Sequence, residues 1–158
     1  MIVAGTGHRP DKLGGYNEAA HMKLVDLATG WLEKNEPKVV ISGMALGWDT
    51  ALAESALQSG ITLWAYIPFE GQELRWPDDS RKRFGYIRDR AAKIVICSEG
   101  GYAPYKMQVR NERMVNHCDT VLALWNGSNG GTCNCLKYAN QKLKPTINLW
   151  NQYIAMRD

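Results

Sequence analysis

Six short apolar runs recur along the chain, and each of the first five is followed by a segment with helical hydrophobic spacing. The runs are residues 1–5, Val39-Val40-Ile41, Ile61 to Ile67, Lys93 to Cys97, Thr120 to Leu124 and Thr146 to Leu149. The first helical segment, about residues 16–34, places Ala20, Leu24, Leu27 and Trp31 four, three and four apart. The next, near 49–59, aligns Leu52, Ala53, Ala56 and Leu57 and stops at Gly60. Further helices are expected at 78–92, capped by Asp78 or Asp79, at about 106–117, and from Thr132 to Leu143. Residues 151–158 carry no clear signal and are read as a tail, leaving 1–150 as one domain.

Runs this short and this apolar, alternating with helices, cannot build an antiparallel sheet with one wet face. They imply a mostly parallel sheet covered by helices on both sides. Right-handed crossovers then make an α/β, Rossmann-like doubly wound domain. The chain's 158 residues suit a single domain, and 45% hydrophobic residues exclude a disordered chain. No apolar stretch is long enough for a membrane span, and the N-terminus reads as a strand rather than a signal peptide, so a cytoplasmic protein is expected.

In such a sheet, ligands sit beyond the carboxyl ends of the strands. After the first run comes Gly5-Thr6-Gly7-His8-Arg9-Pro10, where glycines permit a tight turn and His8 and Arg9 offer donors to an anion. After the second comes Ser42-Gly43-Met44-Ala45-Leu46-Gly47-Trp48-Asp49-Thr50, a loop leading into a helix start. Asp49 is either the cap of that helix or a ligand for a ribose hydroxyl. Trp48 either stacks on a base or packs. After the third run, Phe69 and Glu70 project from the rim, and after the fourth, residues 98–105 form a long loop suited to a lid, with Tyr102 and Tyr105. After the fifth comes the strongest local signal, Trp125-Asn126-Gly127-Ser128-Asn129-Gly130-Gly131-Thr132. Its last three amides would face a phosphate.

Charge and cysteine content narrow the field. The formal charge is +3, too mild to argue for nucleic acid, and the basic stretch from Arg81 to Arg90 is interleaved with acids as a solvated helix face is. Cys97, Cys118, Cys133 and Cys135 form no C-x-x-C pair, so no metal site or cofactor is expected and buried packing roles are.

Three segments together resemble the SLOG superfamily of Lonely-guy phosphoribohydrolases, Smf/DprA proteins and YpsA-like proteins. Residues 42–51 are similar to the Ser-Gly-x-Ala-x-Gly-x-Asp stretch of the Smf/DprA and YpsA-like branches. Arg110-Asn111-Glu112-Arg113, Asp119 and Gly130-Gly131-Thr132 resemble the second half of the YpsA-like and Lonely-guy pattern. Gly5 to Pro10 also looks YpsA-like, the closest branch. The resemblance implies a pocket for a nucleotide or nucleotide-derived ligand, with Arg110 where Lonely-guy enzymes contact substrate. It also implies a chain that pairs, with Trp31 or Trp150 available for an interface. Cys135 stands where those enzymes carry their glutamate, and Asn111 where they carry a lysine.

The first reading is therefore a binding module contacting its ligand through Gly5, Thr6, Gly7, His8, Arg9, Ser42, Gly43, Met44, Ala45, Gly47, Trp48, Asp49, Phe69, Arg110, Asn111, Trp125, Gly127, Gly130, Gly131 and Thr132. The second is a hydrolase of nucleotide N-glycosidic bonds, for which Glu70, Glu99 and Glu112 are the candidate carboxylates. The third, ranked last, is single-stranded DNA binding by analogy with the DNA-processing branch.

Overall fold

In the computed structural model, which describes residues 1–156, β1 (Ile2–Gly7) runs through the middle of a sheet whose six strands are all parallel. The others are β2 (Val39–Ser42), β3 (Thr62–Ile67), β4 (Lys93–Ile96), β5 (Thr120–Leu124) and β6 (Thr146–Asn148), in spatial order β4-β3-β2-β1-β5-β6. The chain steps from β1 outward to β4, then crosses back to β5 on the other side of β1. The direction of winding reverses between β1 and β5, so the loops after these two strands part and leave a crevice.

The helices are α1 (Glu18–Asn35), α2 (Trp48–Gln58), α3 (Asp78–Arg90), α4 (Tyr105–His117), α5 (Gly131–Gln141) and α6 (Trp150–Ala155), with a short 3-10 turn at Pro10–Lys12. Side chains alternate across the sheet, as the two-residue period of a strand requires. Val3 and Val40 enter the core beneath α1, α2 and α3, whereas Ala4 and Ile41 enter a second cluster with Met114 and Val115 of α4 and Cys135 and Ala139 of α5. Helix α1 starts where Asn17 Oδ1 accepts from Ala20 N at 2.8 Å, and α2 ends at Ser59, just before Gly60 with its φ of +71°.

Three differences from the sequence reading stand out. Strand β1 extends two residues past Gly5, so Thr6 and Gly7 are strand residues paired with Ala123 and Leu124. The tail forms α6, which buries Tyr153 against the core under α1. Residues 157 and 158 of that tail lie outside the described residues. Trp31 and Trp150, expected to be free for an interface, are partly buried against the same core. No described helix is long and apolar enough to cross a membrane.

Candidate functional site

A cavity of about 600 Å³ opens at the carboxyl ends of β1, β2 and β5, the switch point of the sheet. Its walls come from four places in the sequence. The end of β1 and the loop after it supply Thr6 to Arg9, Asp11 and Lys12; the β2 loop and the first turn of α2, Ala45 and Asp49. Helix α4 and the segment before it supply Tyr102, Pro104, Met107, Arg110 and Asn111. The β5 loop and the first turn of α5 supply Ser128 to Cys133.

The β2 loop is held by its own side chains. Ser42 Oγ donates to Asp49 O at 2.8 Å and accepts from Met44 N at 3.1 Å, while Thr50 Oγ1 donates to Ala45 O at 2.6 Å. Met44 sits at φ +60°, a left-handed conformation that the buried side chain and these bonds enforce. Asp49 is the second residue of α2, behind Gly47 at the cap. Its carboxylate folds back so that Oδ2 accepts from Ala45 N at 3.4 Å, and Oδ1 is buried without a partner. Burial pushes its pKa up to about 6, against the opposing pull of Arg110, the Ala45 amide and Arg9. Arg110 is itself buried, donating from Nη1 to Gly43 O at 2.6 Å and from Nε to Asn111 Oδ1 at 3.0 Å.

The β5 loop makes the opposite kind of surface. Helix α5 begins at Gly130, whose φ of +142° suits glycine and whose lack of a side chain leaves the first amides uncapped. A side chain at Gly130 or Gly131 would meet open space. Arg9 and Lys12 stand opposite, and Lys12 Nζ reaches across to Ser128 Oγ at 3.1 Å. Positive charge and free amides therefore gather on the β1–β5 side, with the lone carboxylate oxygen of Asp49 beside them.

His8 holds the two loops together rather than serving as a donor. Its Nε2 accepts from Asn126 N at 3.0 Å and its carbonyl accepts from Trp48 N at 3.2 Å. Burial lowers its pKa, so the ring is neutral and this nitrogen has no proton to offer an anion.

Of the residues expected at the site, the cavity collects Thr6, Gly7, His8, Arg9, Ala45, Asp49, Arg110, Asn111, Gly130, Gly131 and Thr132. Trp48 is not a stacking platform. It is fully buried, its indole N–H pointing to Leu122 O at 3.4 Å. Gly7 owes its identity to this ring, because a Cβ there would lie 2.6 Å from Trp48, and Gly5 to the packing of Leu52. Ser42, Gly43, Met44 and Gly47 lie behind the wall and shape it. Phe69 is buried beneath Tyr102, with ring centroids 6.0 Å apart. Trp125 braces its own loop by donating to Ser128 O at 2.7 Å, and Gly127 supplies the turn there at φ +94°.

The three candidate glutamates are elsewhere. Glu70 is exposed and paired with Arg88 at 2.5 Å, Glu99 is exposed, and Glu112 accepts from Gln108 outside the cavity. Cys135 is buried, its thiol pushed up to about 11 by burial, and is a packing residue bonded to Thr6. The basic stretch of α3 is spent on neighbours: Arg81 on Asp78, Arg83 on Glu18 and Glu54, Arg88 on Glu70. Sequence reasoning left out Asp11, Lys12, Pro104, Met107 and Cys133, and named Tyr102, Ser128 and Asn129 only as parts of their loops, not as ligand contacts. The signal for the first two was Pro10 opening a turn that folds both back over the β1 loop.

A smaller cavity of about 210 Å³ lies on the α1–α2–α3 side. Most of its charged groups are paired, His21 with Glu54 at 2.8 Å and Arg83 with Glu18 at 2.9 Å.

The model of the YspA SLOG family matches residues 3–158. The chain belongs to that family. A UPF0398 protein of Bacillus cereus is 24% identical over 99% of this chain and 91% of its own length. The uncharacterized SPbeta prophage-derived protein YoqJ of Bacillus subtilis (strain 168) is 33% identical over 47% of this SLOG chain, an alignment spanning 50% of YoqJ. Among solved structures, DNA processing protein A of Streptococcus pneumoniae superposes with a TM-score of 0.67 and 22% identity, over 92% of this chain and 49% of that one. DNA processing protein A of Helicobacter pylori, described by its single-stranded DNA binding mode, superposes with a TM-score of 0.66 and 23% identity, over 94% of this chain and 64% of that one. At those identities the shared property is the Rossmann-like fold.

Proposed function

We propose that this chain binds a nucleotide or nucleotide-derived small molecule in the switch-point cavity. The observation that carries the reading is a pairing of opposites within one pocket. An uncapped helix start with Arg9 and Lys12 suits a phosphate, and the partnerless Oδ1 of Asp49 suits a donor such as a sugar hydroxyl. A ligand carrying both groups would satisfy both walls at once. A cavity of this size accommodates a molecule of the nucleotide class.

Asp49 also favours a second reading, hydrolysis of an N-glycosidic bond. It is a carboxylate inside the cavity whose pKa near 6 lets it hold or release a proton at neutral pH. Single-stranded DNA binding, suggested by the Helicobacter pylori neighbour, would find its cations in this same crevice, since Arg81, Arg83 and Arg88 of α3 are already paired with carboxylates.

The test is a thermal-shift series with AMP, ribose 5-phosphate, NAD, ADP-ribose and an oligothymidylate. Each stabilising compound is recovered and separated by chromatography. A bound compound at 100 times its Kd should add about 2.7 kcal/mol. Recovery of the intact compound supports a binding module, and release of free base supports the hydrolase. A steep salt dependence with the oligonucleotide supports DNA binding. Stabilisation by none of them would overturn the site.

A further inference from the structure

The loop between β4 and α4 is pinned by a buried lysine. Lys106 Nζ donates to Glu99 O and to Gly101 O, both at 2.5 Å, and is only 6% exposed. The turn closes around it through Gly100, at φ +76°, where a Cβ would sit 3.3 Å from Nζ. The ammonium also faces the ring of Phe69 at 6.0 Å. Tyr102, the next residue after this clasp, rests edge-on against Phe69 and is 70% exposed, yet lines the cavity. Tyr16, Tyr86 and Tyr105 are also more than half exposed, so exposure alone does not single Tyr102 out; what does is that its ring lines the cavity and that a buried lysine fixes its loop.

Position sets what this ring can meet. Phe69 follows β3, whereas the helix start at Gly130 follows β5, three strands away. At the usual interstrand spacing the two strand ends are about 14 Å apart, and Tyr102 and Gly130 both line the cavity between them, so a heterocycle and a phosphate of one ligand have separate walls to meet. The wall at the Tyr102 end is completed by Pro104 and Met107, which offer no donors. Asn111, the amide that α4 brings to the cavity, is already engaged: Oδ1 accepts from Arg110, and Nδ2 donates to Gln108 Oε1 and Gly131 O.

Resting on the nucleotide reading of the site, we infer that Tyr102 is the platform on which the ligand's heterocycle stacks, held in place by the Lys106 clasp, so that the site selects rings by their face and not by their hydrogen-bonding edge. Tyr102 is the specificity-determining residue and Lys106 a positioning residue.

Calorimetric titration with AMP, GMP, CMP and ribose 5-phosphate tests this. AMP and GMP should bind within about threefold of one another, CMP more weakly, and ribose 5-phosphate most weakly. Tyr102→Ala should cost AMP and GMP about tenfold or more, whereas Tyr102→Phe retains them and neither variant alters ribose 5-phosphate binding. Tyr102 is exposed, so its variants fold. Lys106→Met should weaken AMP only when Tyr102 is present, and should raise amide exchange across residues 98–104. An unchanged AMP affinity in Tyr102→Ala, or a tenfold preference between AMP and GMP, would overturn the inference while leaving the site intact. If the wild-type protein binds neither AMP nor ribose 5-phosphate, the site reading fails and this inference with it.

Discussion

Asp49→Asn is expected to make the empty protein more stable and the ligand-binding protein useless. The carboxyl's pKa rises from 3.8 to about 6 on folding because burial outweighs the pull of Arg110. That rise corresponds to about 3 kcal/mol opposing the ionised form. The folded-state value is the higher one. The penalty is therefore absent below pH 3.8, where the group is protonated folded or unfolded, grows through the interval, and is complete above about pH 6. Asparagine keeps the shape, lets its carbonyl accept from Ala45 N, and carries no charge. At pH 7.5 the variant should melt about 6–12 °C above the wild type, and the gain should shrink towards zero near pH 4. Paired thermal and denaturant melts at the two pH values give the difference directly, with other titrating groups common to both proteins. The amide places N–H donors where Oδ1 was, so AMP should no longer raise the melting temperature. A variant less stable than wild type at pH 7.5, or a difference that does not vary with pH, would show that Asp49 carries no uncompensated buried charge.

Other perturbations follow from the same geometry. His8 is held neutral with its pKa below 6.5, so its contribution to stability is full above that value and declines as the pH falls; His8→Gln should flatten the acid side of the pH–melting profile. Gly7→Ala should destabilise by about 1–3 kcal/mol in denaturant melts, because its methyl meets Trp48 at 2.6 Å, and shortening that ring with Trp48→Leu should recover part of the Gly7→Ala loss. Glu70→Gln, Glu99→Gln and Glu112→Gln should each leave AMP affinity within about twofold by calorimetry, since none of the three lines the cavity. Gly130→Ala should weaken AMP binding through strain at φ +142° rather than through a clash, so Gly131→Ala, with the same open surroundings and a helical backbone, should be milder.

The strand–helix alternation made the sheet legible because period and length agree in each of the first five units. Helix α6 was not, since six residues cannot display a helical period, and its anchor Tyr153 looks like any surface tyrosine in sequence. The glycine-rich loops pointed to the right edge of the sheet but not to the right atoms. Gly5 and Gly7 sit in such a motif for the sake of Leu52 and Trp48, and the motif is identical whether its glycines face a ligand or the core. The carboxylates went astray for a related reason. Glu70 finds Arg88 across 18 residues, a pairing no local pattern announces, while Asp49 reads equally as a helix cap and as a ligand for a ribose hydroxyl, and no pattern tells that one of its oxygens is left without a partner. Lys12 and Asp11 entered the site through a three-residue turn too short to recognise by spacing.

The contact between Gly43 and Arg110 has a consequence for transplanting this site. A Cβ at position 43 would lie 2.7 Å from the guanidinium, and the same guanidinium holds the carbonyl of that residue. The loop after the second strand and the arginine 67 residues later are thus a single mechanical part, cut and seated like a key in its lock. Moving the loop alone into another sheet would leave its backbone without the cation that fixes it. Moving the arginine alone would bury a charge with nothing to receive it. Chimeras that exchange both together should keep the pocket, and those that split the pair should lose it.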